Sequence, residues 1–183
     1  SHQHTLSLIG TSMTSPSLIR LAGAGALTLL LAACGGGDDT VAAGGGTLTV
    51  SAATPAAMAT TLDLSTATAK GNNARAADGF SSVPYCEIFW ENVNGANGKK
   101  YALQVYFRQG DKLPMHVSLL EGASGWVVFN NASGAAIVGV TVDTTAKTVA
   151  FNNKALTGGG TELGTLAGTV SFPANAGTAA CGA

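Results

Sequence analysis

His116 and Ser118 lie two residues apart in Met115-His116-Val117-Ser118, and Glu87 and Glu91 lie four apart. These pairs suggest a nucleophile with its base, and the two carboxylates of a glycosidase. Neither spacing works on the extended chain that surrounds them. Side chains two apart on a strand run parallel, and no sharp elbow exposes the serine or supplies an oxyanion hole. Four residues of strand put the glutamates about 13 Å apart. Glycoside hydrolysis needs roughly 5–9.5 Å. His2 and His4 have the look of a metal-binding terminus, but Asp38-Asp39 is too short for a calcium loop. Gly158-Gly159-Gly160 is not followed by the Lys-Ser/Thr of a phosphate loop. The expectation is a protein that is not an enzyme and holds no metal or cofactor.

The next informative feature is the apolar run from Leu21 to Ala33, preceded by Arg20 and closed by Leu31-Ala32-Ala33-Cys34. A spanning helix needs about 20 apolar residues, so this run has the length of a signal h-region instead. The closing residues resemble the lipobox of a bacterial lipoprotein signal peptide. That resemblance implies removal of residues 1–33 and lipidation of Cys34. Met13 would start a signal of normal length, which leaves residues 1–12 upstream of it. His2 and His4 would be lost, and His116 would be the histidine that remains. Two or more acyl chains make a stable membrane anchor. Gly35, rather than aspartate, follows the cysteine, so the resemblance favours the outer membrane. Residues 34–46, with Gly35-Gly36-Gly37 and Gly44-Gly45-Gly46, are expected as a flexible tether. With Cys34 lipidated, Cys86 and Cys181 remain. An exported chain meets an oxidising compartment, so the resemblance implies a Cys86–Cys181 disulfide.

The formal charge of −1 excludes a polyelectrolyte binder, and nucleic acid is not an expected partner. Long helices want Leu, Glu, Lys and Arg, whereas Ala, Gly and Thr dominate here. From Phe80 onward, short runs rich in Val, Tyr, Phe and Thr alternate with turns such as Asn97-Gly98, Gly110-Asp111 and Ser133-Gly134. The pattern predicts one all-β domain over 47–183, an antiparallel meander of seven to nine strands forming a small sandwich or barrel. Residues 47–79 read less clearly. Leu48 and Val50 suggest one strand, and alternating Leu62, Leu64, Thr66 and Thr68 another, while Thr54-Pro55 could begin a short helix.

Matching apolar faces gives registers. Trp90, Ile88 and Cys86 should oppose Leu103, Val105 and Phe107. These in turn should oppose Leu119, Val117 and Met115, with Val127 and Phe129 continuing that face. Val140 and Val142 should match Phe151 and Val149. The opposite face then carries Glu87, Tyr106 and His116 in one row and Phe89, Gln104 and Ser118 in the next, with Tyr85 and Arg108 beyond. Read functionally, this is a shallow aromatic platform for an envelope protein or glycan partner. Read structurally, it is an outer face held by cross-strand pairs such as Glu87–Arg108, or a face covered by part of 47–79. The overall expectation is a lipid-anchored cell-envelope protein with a non-catalytic binding or structural role. An accessory envelope hydrolase or enzyme subunit is the alternative.

Overall fold

The computed structural model describes residues 43–122, the backbone of 124–129, and residues 137–158, 161–174 and 181. Cys34, the expected leader, most of the expected tether and the turn expected at Ser133-Gly134 lie outside the described residues. The rest is all-β. In chain order the strands are β1 (Gly46–Ser51), β2 (Thr60–Asp63), β3 (Ala69–Arg75), β4 (Tyr85–Gly95), β5 (Lys100–Arg108), β6 (Pro114–Glu121), β7 (Ser124–Phe129), β8 (Val140–Asp143), β9 (Thr148–Gly158) and β10 (Thr161–Ser171). Two short 3-10 turns, Ala56–Met58 and Leu64–Thr66, are the helical elements among the described residues.

All pairings are antiparallel, in the order β7-β6-β5-β4-β2-β1-β10-β9-β8. Most consecutive strands pair, β2 with β3 and β7 with β8 excepted, and the first strand pairs with the last. β7 also lies against β9, which brings the two ends of the sheet together. The result is a nearly closed up-and-down barrel. One edge of β4 is shared: its end pairs with β2 through Leu62↔Gly95 and Asp63↔Asn94, and β3 takes the remainder of that edge.

The inward residues follow from period-two alternation. Ile88 and Trp90, Leu103, Val105 and Phe107, Val117 and Leu119 are essentially inaccessible, as are Leu48, Leu62, Val149, Leu166 and Val170. Together they fill the barrel with one apolar cluster. Bulges correct the pattern where alternation fails. Trp90 and Val93 are three apart yet both buried, and the register shifts between them, with Asn92 at φ 54°. Trp90 donates its indole N–H to the Gly44 carbonyl at 3.0 Å, and the Gly44 N–H bonds Phe172 O at 2.8 Å. Gly44–Gly46 therefore belongs to the domain rather than the tether.

The predicted registers 90↔103, 88↔105, 86↔107, 105↔117, 103↔119, 140↔151 and 142↔149 are those observed. Three readings need correction. Phe107 pairs with Pro114 rather than Met115, because the register shifts after Tyr106. Val128 and Trp126, not Phe129 and Val127, oppose Val117 and Leu119, since the short turn after Glu121 fixes Glu121↔Ser124. Leu64 to Thr66 is not strand. The Asp63 carboxylate accepts the Ser65 N–H at 3.0 Å and turns the chain into a 3-10 turn. The short helical turn after Thr54-Pro55 does form.

The disulfide Cys86–Cys181 joins the start of β4 to the end of the domain, with Cα atoms 5.7 Å apart and a sequence separation of 95. Both cysteines are buried.

Candidate functional site

The outer face of β4, β5 and β6 carries the rows expected of it. Glu87 opposes Tyr106 and Tyr106 opposes His116; Phe89 opposes Gln104 and Gln104 opposes Ser118; Tyr85 opposes Arg108. The face is not an open platform, however. Tyr85 and His116 are each 6 % exposed and Ser118 is 2 % exposed. Glu87, Phe89, Gln104, Tyr106 and Arg108 are half-buried and form the strip that solvent reaches.

The cover comes from the loop between β3 and β4. Asp78 closes that loop, accepting the N–H groups of Phe80 at 2.8 Å and Ser81 at 3.2 Å. This lays the Phe80 ring 5.1 Å from Tyr106, edge-on, 5.4 Å from Tyr85 and 6.0 Å from His116. Tyr106 and His116 stack at 4.8 Å. Tyr85 donates its hydroxyl to Asp78 at 2.8 Å. Four rings thus form a cluster outside the barrel, and the edge-on contacts of Phe80 with Tyr106 and His116 have a geometry that aromatic quadrupoles prefer.

The charges are arranged differently from the expected Glu87–Arg108 pair. Glu87 pairs with Arg75, which lies diagonally across from it on β3, opposite Tyr85, with Nε donating to Oε2 at 2.7 Å. Arg108 instead contacts Asp111 at 3.2 Å. Tyr106 donates its hydroxyl toward Glu87 Oε1 at 3.3 Å. Phe89 lies across Gly71 of β3, where a Cβ would come within 2.5 Å of its ring. Gly71 is the space that the Phe89 ring needs.

Burial sets the electrostatics. It pushes the His116 imidazole down to about 4, which keeps the ring neutral at physiological pH. It also pushes the Tyr106 phenol up to about 12, with the Glu87 carboxylate adding to the effect. Tyr85 is raised by burial and by its bond to Asp78; Asp78 is lowered by that bond and by the loop N–H groups. Arg75 is raised by its hydrogen bond with Glu87.

Chemically, the arrangement is a packed aromatic cluster flanked by a half-exposed amphipathic strip. Among the described residues, no group of three His, Cys, Asp or Glu side chains is placed to hold a metal ion. Sequence reasoning missed Phe80, Asp78 and Arg75. A signal for Asp78 existed in Asp78-Gly79-Phe80-Ser81, whose leading aspartate can cap a turn. Comparison with protein families, curated proteins and solved structures returns no match to this chain.

Proposed function

We propose that this protein is a lipid-anchored component of the bacterial cell envelope with a non-catalytic, binding role. Its barrel recognises an envelope protein or glycan through the strip formed by Glu87, Phe89, Gln104 and Tyr106. The observation that carries the reading is the filled interior. Trp90, Tyr101, Phe107 and the leucines around them occupy the barrel, so recognition falls to the outside. There the strip combines half-exposed aromatic area with polar groups, the composition that suits adaptable recognition. The non-catalytic part is supported by the state of His116 and Ser118. Both are buried on one strand, and the imidazole is poorly basic. The anchor rests on the lipobox resemblance ending at Cys34.

The test has two arms. Cys34→Ser should move the protein from the membrane to the soluble fraction; unchanged membrane association would overturn the anchor. The full-length chain, isotope-labelled, is then titrated with peptidoglycan fragments, lipopolysaccharide sugars and periplasmic lysate. Backbone shifts clustered on residues 87–89 and 104–106 support a binding module. Binding that persists unchanged in the Phe89→Ala, Tyr106→Ala variant would remove the strip from the account. Turnover lost with His116→Ala would favour the enzyme alternative.

A further inference from the structure

Beyond Tyr85, where the strip ends, lies an open cleft of about 680 Å3, lined among the described residues by Val83, Pro84 and the segment Arg108–Asp111. Small-molecule sites fall in this size range. Its two walls differ in chemistry. One is apolar: Val83 is 39 % exposed, one of two large hydrophobic side chains so exposed among the described residues. The other carries a guanidinium. The ion pair of Arg108 with Asp111 is a single contact at 3.2 Å, longer than a strong charge-assisted bond, and the Asp111 side chain is 56 % exposed. Arg108 Nε is shut off from solvent, so a ligand in the cleft would meet the terminal nitrogens, of which Nη1 makes the contact with Asp111.

The walls are fixed relative to one another. The Gln109 N–H bonds Pro84 O at 3.1 Å, and its carboxamide donates to Tyr85 O at 2.9 Å and Arg75 O at 3.1 Å. At Gly110 a Cβ would meet nothing within 4 Å, so the turn leaves the cleft open. A preformed cleft loses less on binding than one that must be ordered.

We propose that this cleft binds a carboxylate carried beside a small aliphatic group, as at the C-terminal residue of a peptide. The planar fork of Arg108 matches a carboxylate in shape and charge. Val83 and Pro84 receive the aliphatic part. Asp111 serves as a stand-in that the ligand displaces from Arg108. The inference does not rest on the lipid anchor, and of the strip it uses Arg108 alone.

The experiment titrates the isotope-labelled full-length chain with three probes: N-acetyl-valine, N-acetyl-valinamide and acetate. N-acetyl-valine should shift the amides of Val83 and of residues 108–111. The amide, which lacks the charge, should bind about tenfold more weakly, the size of one lost charge-assisted interaction. Acetate, which lacks the aliphatic group, should also bind more weakly. Arg108→Lys keeps the charge but not the fork and should weaken N-acetyl-valine binding. Asp111→Asn should tighten it by releasing the guanidinium. The proposal is overturned if N-acetyl-valine leaves these amides unmoved, if acid and amide bind alike, or if Asp111→Asn weakens binding. The wild-type comparison of acid with amide stands even if a variant fails to fold.

Discussion

Asn72 and Cys181 hold each other through a reciprocal pair of hydrogen bonds. Asn72 Nδ2 donates to the Cys181 carbonyl at 2.9 Å, and the Cys181 N–H donates to Asn72 Oδ1 at 3.0 Å. Both residues are buried. A carboxamide offers the same donor and acceptor as a peptide group, so Asn72 stands in for a neighbouring strand. Replacing it with Ala strands both backbone groups of Cys181. We expect Asn72→Ala to cost about 2–4 kcal/mol, read as a lower urea midpoint with unchanged slope. A loss within experimental scatter would mean that the clamp contributes nothing.

The same residue carries the covalent tie, since Cys181 is bonded to Cys86 across a separation of 95 residues. Constraining a loop of that length is worth about 4–5 kcal/mol in the chain-entropy treatment. The Cys86→Ser, Cys181→Ser variant should therefore unfold at a clearly lower midpoint. Combined with Asn72→Ala, the losses should fall short of additive, because the two changes release one and the same residue. Full additivity would show two independent fastenings.

The strands from Tyr85 to Arg108 were legible because their inward residues are all large and apolar. A one-residue slip would have exposed Ile88, Trp90, Leu103 and Val105 together. β3 was not legible, and the reason is physical. Ala69-Lys70-Gly71-Asn72-Asn73-Ala74-Arg75 has no apolar alternation. What holds it is its backbone ladder to β4, Asn72 on Cys181 and Gly71 under Phe89. Without β3 in the pattern Arg75 has no place beside Glu87, and register alone leaves Arg108 as the nearest cation. The rows of the outer face could be read from register, but their burial could not. The residue that covers them, Phe80, comes from a loop whose path depends on Asp78 capping rather than on periodicity.

His116 should make the fold acid-sensitive. Its folded pKa is about 4, below the ordinary 6.5. Between those values the unfolded chain binds the proton more readily, so stability is full above pH 6.5 and declines as pH falls toward 4. The loss is on the order of 3 kcal/mol. NMR titration of the imidazole should show no protonation above pH 5, and His116→Gln should flatten the stability profile over that window. A midpoint near 6.5 would contradict the burial that the fold gives this ring.

Phe80→Ala tests the cover itself. The ring touches Tyr85, Tyr106 and His116, and its removal takes away three aromatic contacts and part of the apolar surroundings of the imidazole. We expect a loss of about 2 kcal/mol together with a rise in the His116 pKa toward its ordinary value. The coupled readout matters. Loss of stability with an unmoved titration would mean that Phe80 packs on the cluster without shielding it.

The seam between β1 and β10 is built on close approaches of main chain at Gly46 and at Gly168. Gly168 sits at φ +130°, opposite Leu48, where the register shifts, and a Cβ there would lie 2.5 Å from the Thr47 carbonyl oxygen. Two penalties then act together in Gly168→Ala: a backbone region that L side chains rarely adopt, and a clash with main chain that cannot step aside. Gly98 separates them. It has φ +79°, but a Cβ there would meet nothing within 4 Å. Gly98→Ala should cost about 1 kcal/mol, the strain alone. Gly168→Ala should cost about 3 kcal/mol or more, because β1 must move off β10 to make room. Hydrogen exchange should locate the damage, with protection lost along residues 46–51 and 165–170 ahead of the β4–β5 pair. Equal costs for the two variants would mean that the β1–β10 seam opens to admit a methyl group, and that the close approach at Gly168 does not hold the two strands together.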